Sequence, residues 1–333
     1  MKGFISRDLH PFYAILILLG CIVAGFFVAN FLSLVLINLF FGYDMLEVAA
    51  FLQDPESQPG ARNAVMLFQA LTHLLGFTIA PLAFLHFRGY PVGQYLSYKA
   101  YLPVGLLLLS GLLFVLIMPA NSVLIEWNAN LQLPESMRGL EAWAKEKEES
   151  IRVLTQYLAR FTTLPEFLVG LLVFALIPAV GEEIVFRGIV QRNLITWTRN
   201  VHVGIWLAAF IFGAIHVQFY GLLPRMVLGA LFGYLYVWSG RILVPIVGHF
   251  VNNGFTVLAL YLRQNQLMDY DIESVEALPL QAVLFSVVVS TAILYGLWAG
   301  FRKVPVSPEA LAPPPEPYDY DYAATEREED KLI

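Results

Sequence analysis

Two adjacent glutamates and an arginine interrupt the apolar stretch LLVFALIPAVGEEIVFRGIV, residues 171–190. A charged side chain at the centre of a bilayer costs about 2.5–3.5 kcal/mol on insertion scales, so a function is expected to offset that cost. On a helix, Glu183 and Arg187 are four residues apart with the acid on the N-terminal side, which is the favourable order for an ion pair. Glu182 lies about 100° away around the helix axis. The pattern predicts that Arg187 neutralises Glu183 while Glu182 stays available for chemistry.

Two later motifs add histidines and an amide. The segment FGAIH places Phe212 four residues before His216, so the ring can pack beside the imidazole; HFVNN places His249 four residues before Asn253, on one helix face. A carboxylate and a histidine can hold and deprotonate a water molecule that attacks a carbonyl. A second histidine and an amide can donate hydrogen bonds to the oxyanion that forms. Together with Glu182, these residues predict a hydrolase of the acyl-transfer type without a covalent nucleophile.

Other peptidase chemistries lack their sequence signatures. None of the six histidines is followed by Glu, so the H-E-x-x-H zinc helix is absent. Ser110 lacks the G-x-S-x-G setting of a serine nucleophile, and Cys21 has no histidine within its apolar segment. We therefore expect no cofactor. Zinc is the alternative, because two histidines and a carboxylate suit this metal and could be supplied by Glu182, His216 and His249.

The composition places these motifs in membrane helices. The chain of 333 residues is 58% hydrophobic and 14% charged, whereas a soluble domain is about 25% charged. Because the apolar residues form long blocks, we predict an all-α polytopic membrane protein with the active site within the helix bundle. About eight candidate spans, each long enough to cross a bilayer, lie near residues 12–42, 63–87, 101–126, 164–186, 201–217, 222–238, 242–262 and 279–301.

The predicted organisation has a catalytic core flanked by simpler regions. These are a cytoplasmic N-terminus (1–11), N-terminal transmembrane helices (12–126), a long amphipathic connection (127–163), the transmembrane core with the motifs (164–301) and a disordered Pro-rich acidic tail (302–333). In the connection, Ile151, Leu154, Leu158 and Phe161 share one helix face, which is typical of a helix lying at the membrane surface. A solvated linker helix is the alternative.

The distribution of basic residues predicts the orientation. Lys and Arg in short loops are concentrated in segments that are cytoplasmic if both termini are cytoplasmic. We expect an integral protein of the plasma (inner) membrane with this orientation. No basic patch occurs, so no nucleic-acid partner is expected. The expected partners are the lipid bilayer and a membrane-associated peptide or protein substrate; the sequence does not indicate an oligomeric state.

The motifs EEIVFR, FGAIH and HFVNN match the patterns E-E-x-x-x-R, F-x-x-x-H and H-x-x-x-N. In this order on successive membrane helices, they resemble the CAAX protease and bacteriocin-processing (CPBP or Abi) family, which includes the type II CAAX prenyl endopeptidases. The resemblance covers roughly residues 164–262 and implies a glutamate-dependent intramembrane endopeptidase. By position, it assigns water activation to Glu182 and His216, the oxyanion hole to His249 and Asn253, and support of the first motif to Glu183 and Arg187.

Other functions of the same residues are open at this point. A non-proteolytic membrane scaffold or bacteriocin-immunity protein would tolerate Glu182→Gln. A zinc-dependent membrane protease would lose activity with a chelator. A transporter could use intramembrane Glu and His as a proton relay, although the spans show no obvious inverted halves.

Overall fold

The protein is described here by a computed structural model of residues 3–53, 59–97, 99, 101–269 and 274–305. Its regular structure is helical, and these residues contain no strand beyond an isolated antiparallel bridge between Ser97 and Arg241. The helices in chain order are α1 (Pro11–Phe41), α2 (Met45–Gln53), α3 (Arg62–Phe87), α4 (Val92–Leu96), α5 (Val104–Leu116), α6 (Met118–Ala129), α7 (Arg138–Leu158), α8 (Leu164–Thr198), α9 (Val201–Ala214), α10 (Leu222–Ser239), α11 (Leu243–Gln264) and α12 (Leu280–Arg302). The predicted all-α class is confirmed, while most of the predicted tail lies outside the described residues.

Six of these helices are long and apolar enough to cross a membrane, namely α1, α3, α8, α10, α11 and α12. The pair α5 and α6 forms a seventh span if it is counted as one, with a bend of 42° between its halves. Pro119 follows this break, and proline cannot donate the backbone hydrogen bond that a continuous helix needs there. The chain is therefore an integral membrane protein, and the predicted count of eight spans is approximate.

The remaining predicted span corresponds to α9, which has only 14 residues. At 1.5 Å per residue it is about 21 Å long, shorter than the roughly 30 Å of a hydrocarbon core. Asn200 starts this helix by accepting a hydrogen bond from the backbone N–H of Val203 at 3.0 Å. The predicted span, 201–217, is three residues longer, because Ile215 and Val217 continue the apolar pattern beyond the last helical residue, Ala214.

Helix α8 is longer than predicted and lies at the centre of the bundle. It begins at a capping box in which Thr163 and Glu166 each bond to the backbone N–H of the other. It continues past the predicted end at residue 186 because the polar side chains there are buried and hydrogen bonded within the protein. Gln191 donates to the Gly233 carbonyl at 3.2 Å, and Asn193 donates to the Ile189 carbonyl at 2.7 Å. In its most apolar window 56% of the residues are buried, against 17–39% in the other five long spans. The first motif is thus placed in the middle of the helix that the others surround.

Helix α7 lies within the predicted amphipathic connection. Leu158 of the predicted apolar face is buried, and Leu154 packs against a cluster that includes Val65 of α3. Phe161, predicted on the same face, is also buried but lies beyond the end of the helix at Leu158. The Arg62 side chain of α3 donates to the Leu158 carbonyl at 2.9 Å. This face of α7 therefore contacts the protein, and its position relative to the membrane surface stays a prediction.

Candidate active site

Glu183 and Arg187 form the predicted ion pair in the middle of α8. Arg187 Nη1 donates to Glu183 Oε1 at 2.8 Å, and neither side chain is more than 1% exposed. Arg187 Nη2 donates to the Gly229 carbonyl of α10, also at 2.8 Å. The guanidinium lies over the rings of Phe212 and Phe232, 4.5 and 5.1 Å from their centroids. A buried charge needs this many partners because its desolvation is costly.

A small-residue pattern lets α10 approach this pair. The carbonyls of Gly229 and Gly233 accept hydrogen bonds from Arg187 and Gln191, so two donors one turn apart on α8 match two acceptors one turn apart on α10. A Cβ atom at Gly229 would lie 3.1 Å from Arg187 Nη2, and one at Gly233 would lie 2.6 Å from Gln191 Oε1. The G-x-x-x-G of α10 therefore serves close packing, as such patterns do in membrane helices.

His249 of α11 joins both glutamates. Its Nδ1 atom lies 2.8 Å from Glu183 Oε1, and its Nε2 atom lies 3.9 Å from Glu182 Oε2. Because an ionised carboxylate only accepts hydrogen bonds, Nδ1 carries a proton in this arrangement. The ring is buried and stacked on Phe232, with centroids 5.0 Å apart and an interplanar angle of 14°. His249 is thereby fixed in orientation, with Nε2 directed toward Glu182.

Glu182 has different surroundings from Glu183. Its residue is 6% exposed, and its two oxygens face two separate imidazoles, Oε2 toward His249 and Oε1 toward Nδ1 of His73 at 3.9 Å. Both distances exceed a direct hydrogen bond. The prediction that Glu182 points away from the Glu183–Arg187 pair therefore agrees with the geometry.

His216 lies in the turn just after the end of α9. Its Nδ1 atom is 2.8 Å from the Phe212 carbonyl, which can only accept, so Nδ1 carries the proton and Nε2 keeps a lone pair. The Phe212 ring meets the His216 ring edge-on at 5.2 Å and the His249 ring at 6.0 Å. Phe212 thus connects the two histidines, while no ion pair within 4.0 Å joins His216 to Glu182 in the described part of the chain.

Asn253 lies one turn after His249 on α11 but has its own partners. Its Nδ2 atom donates to the Phe174 carbonyl of α8 at 3.2 Å, and its Oδ1 atom accepts from Asn252 at 3.1 Å. The Asn253 amide has two N–H groups, and the bond to Phe174 uses one of them. The structure therefore brings Asn253 beside the cluster rather than into hydrogen-bond contact with His249 or Glu182.

The second imidazole beside Glu182, His73, was not among the predicted site residues. The available signal was its position within the second apolar span, where an ionisable side chain is costly. Nothing in the local sequence links His73 to residues more than a hundred positions later. Only the packing of α3 against α8 brings them together.

No group of three or more His, Cys, Asp or Glu side chains within the described ranges is arranged to hold a metal ion. Glu182, His216 and His249 do not converge on one point as zinc ligands would.

The fold and the site therefore describe a polytopic helical membrane protein in which Glu183 and Arg187 of the central helix form a buried cluster with His249 of α11. Residues 164–255, which contain all three motifs, match the family model described as "Rce1-like: Type II CAAX prenyl endopeptidase Rce1-like". The resemblance that the motifs predict is confirmed over this segment.

Two curated relatives come from Bacillus subtilis (strain 168). "Uncharacterized protein YpbD" is 36% identical over 80 residues, which are 23% of this chain and 38% of that protein. "Putative membrane peptidase YdiL" is 33% identical over 88 residues, which are 26% of this chain and 36% of that protein. The chain thus spans little more than a third of the length of the curated relatives it matches. No solved structure matches it. Together the family model and the second relative support a membrane protease.

Proposed function

We propose that this protein is a glutamate-dependent intramembrane endopeptidase. The observation that carries the proposal is the contrast between two neighbouring carboxylates. Glu183 is paired with Arg187 and His249 at 2.8 Å, whereas Glu182 faces His249 and His73 at 3.9 Å. Two carboxylates in different environments suit a division between a supporting and a chemical role.

In the proposed reaction, a water molecule beside Glu182 attacks the carbonyl carbon of the scissile peptide bond. Glu182 accepts a proton from this water, and the lone pair on Nε2 of His216 accepts a hydrogen bond from it. The new carbon–oxygen bond gives a tetrahedral intermediate. When the carbon–nitrogen bond breaks, the proton held by Glu182 passes to the leaving amine, so a carboxylic acid and an amine are released and the glutamate is restored.

The oxyanion of that intermediate requires hydrogen-bond donors. The proposed donors are His249 and the second N–H of the Asn253 amide. A donating N–H at Nε2 requires His249 to carry protons on both nitrogens, and Glu183 on its other side would be the counter-ion of that form. The proposal therefore gives Glu183 a part in the reaction as well as in the packing.

The proposed substrate is a membrane-associated protein or peptide, cleaved near its C-terminus or next to the membrane. The buried position of the site in α8 supports a substrate that reaches it from the bilayer or its surface. The name of the matching family suggests a C-terminal segment of a prenylated protein as the first kind to try. We place the protein in the plasma (inner) membrane.

The experiment compares wild type with Glu182→Gln after purification and reconstitution. Both are given a mixed pool of membrane peptides, and new termini are identified by mass spectrometry with and without a chelator. We expect cleavage by wild type, unaffected by the chelator, and a loss of at least about 100-fold in Glu182→Gln, as for removal of a general base. Glu149→Gln is the matched control, because Glu149 is an exposed carboxylate that pairs with Arg152 on α7.

Each other outcome selects a different function. Loss of cleavage with the chelator and recovery with zinc would favour a zinc protease. Full activity of Glu182→Gln would contradict the proposed base. If wild type cleaves nothing, a cell-based assay in which Glu182→Gln replaces wild type without loss would favour the scaffold or immunity protein.

A further inference from the structure

His73 occupies a special position in α3. It is the last residue before a π-helical turn, Leu74–Ile79, and such turns often occur at functional sites. It lies outside residues 164–255, the segment that matches the family model, and belongs to none of the three motifs. Neither the family match nor the motifs therefore predict its contacts, which are seen only in the structure.

The His73 side chain is directed at Glu182 and is nearly enclosed. Nδ1 lies 3.9 Å from Glu182 Oε1, with the two side chains 17% and 8% exposed. Nδ1 is buried and has no hydrogen-bond partner within the described residues. The ring is stacked on Phe77, with centroids 5.2 Å apart and planes inclined by 27°, so the imidazole is held in this direction.

A glycine explains why the two helices come so close. A Cβ atom at Gly181, the residue before Glu182, would lie 2.9 Å from both Phe77 Cβ and Thr78 Oγ1 of α3. Any larger residue would separate the helices at the level of His73. The close approach of α3 therefore depends on Gly181, the residue of α8 immediately before the candidate catalytic Glu182.

We propose that His73 is a positioning residue for Glu182, an inference that rests on the proposed function. The unpartnered Nδ1 faces Oε1 at 3.9 Å. Catalytic hydrogen bonds are often long before substrate binds and shorten in the complex, so a small movement of either side chain would give a direct hydrogen bond. Holding Oε1 in this way keeps Oε2 directed to His249 and fixes the carboxylate for proton transfer. His73 itself does not touch the scissile bond.

Three variants separate this role from packing. His73→Phe keeps a ring to stack on Phe77 but removes the nitrogen. His73→Asn keeps a hydrogen-bonding group near the place of Nδ1, whereas His73→Gln places one near Nε2 instead. We expect kcat to fall roughly 100-fold in His73→Phe and in His73→Gln, as for a misplaced catalytic group, while KM stays unchanged. In His73→Asn we expect kcat to return most of the way to the wild-type value. Wild-type kcat in His73→Phe, or equal losses in Asn and Gln, would overturn the proposal.

A thermal-unfolding cycle gives a readout that does not depend on cleavage. The shift in melting temperature caused by His73→Phe is measured in wild type and in Glu182→Gln. We expect the two shifts to differ, because the partner of His73 is altered in the second background; equal shifts would overturn the coupling. If wild type cleaves nothing and Glu182→Gln replaces it in cells without loss, the proposed function fails and the positioning role of His73 in catalysis fails with it. The thermal-unfolding cycle separately decides whether the contact between His73 and Glu182 exists. If His73→Phe does not fold, the Asn and Gln variants are compared in the same cycle.

Discussion

Glu182 and Glu183 are neighbours in the sequence, but among the hydrogen bonds and ion pairs of the described residues the one partner that they share is His249. Glu183 is fully buried and bonded on one oxygen to both Arg187 and His249. Removing one partner of a buried charged pair leaves the other charge without compensation, which is more damaging than losing a surface contact. At the scale of the residue, the structure therefore gives the two carboxylates different surroundings, as the proposed division between a supporting and a chemical role requires.

The burial of the Glu183–Arg187 pair predicts that Arg187→Ala destabilises the protein. We expect the free energy of unfolding to fall by about 3–5 kcal/mol, the usual cost of breaking a buried ion pair. The substitution also removes the hydrogen bond to the Gly229 carbonyl and the contacts with two rings. Unfolding in detergent, followed by heat or denaturant, measures the change.

The control for Arg187→Ala is Arg138→Ala, since Arg138 forms an exposed pair with Glu135 three residues earlier. Such surface pairs contribute up to about 1 kcal/mol. Equal losses in the two variants would contradict the supporting role of Arg187.

Glu183→Gln tests the link from the ion pair to the histidine. Because Glu183 contacts both Arg187 and His249, we expect it to lower stability and cleavage together, whereas Glu182→Gln lowers cleavage alone. Cleavage assays and melting curves on the same preparations compare the two variants. A stable and fully active Glu183→Gln, with an unfolded Glu182→Gln, would reverse the two roles.

At the scale of the helix, close approach is what assembles the site. Helix α8 is approached by α3 at Gly181 and by α10 at Gly229 and Gly233. The π-helical turn Ile184–Gln191 begins immediately after the two glutamates and contains both Arg187 and Gln191. The short α9 ends just before His216, so this histidine is carried on a turn rather than on the helix.

Gly229→Val tests the contact between α8 and α10. A Cβ atom there would already meet Arg187, Phe212 and the backbone of Ala209 at 3.1–3.3 Å. We expect a loss of about 1–3 kcal/mol in the free energy of unfolding, typical of overpacking, together with reduced cleavage because Arg187 is displaced. Melting curves and peptide cleavage measure the two effects.

Gly296→Val is the matched control. Gly296 is also inside a long helix, α12, but no atom lies within 4 Å of a Cβ atom built there. The intrinsic helix propensities of the two substitutions are the same, so the difference between them reports packing. If Gly296→Val were as damaging as Gly229→Val, close packing at α10 would not explain the loss.

At the scale of the whole molecule, the number of membrane crossings decides whether the two termini lie on the same side of the membrane. The predicted cytoplasmic position of both termini requires an even number of spans. The six long helices and the bent pair make seven, so the prediction depends on whether the 14-residue α9 also crosses. A short helix can cross where the bilayer thins locally.

Single cysteines test this orientation in a Cys21→Ser background, since Cys21 is the only cysteine of the chain. We expect Ser6→Cys and Ser307→Cys to be protected from a membrane-impermeant maleimide in intact cells. Leu46→Cys, an exposed position after α1, should be labelled from outside and is the control for access. Labelling of Ser307→Cys with protection of Ser6→Cys would show an odd number of crossings.

The sequence by itself determined the features that depend on local spacing and composition. Apolar blocks predicted an all-α membrane protein because a helix satisfies its own backbone hydrogen bonds in lipid. The four-residue separation of Glu183 and Arg187 predicted their ion pair because such residues meet on one helix face. The same geometry predicted that Phe212 contacts His216 and that Glu182 points elsewhere.

Only the tertiary structure decided what depends on residues far apart in the chain. The extension of α8 to Thr198 depends on burial of Gln191 against Gly233, whose carbonyl replaces water as the acceptor. The bond between His249 and Glu183 spans 66 positions, and His73 reaches Glu182 because Gly181 lets α3 approach α8. Spacing along one helix fixes direction around its axis, but the partner that a side chain meets is set by which helices pack together.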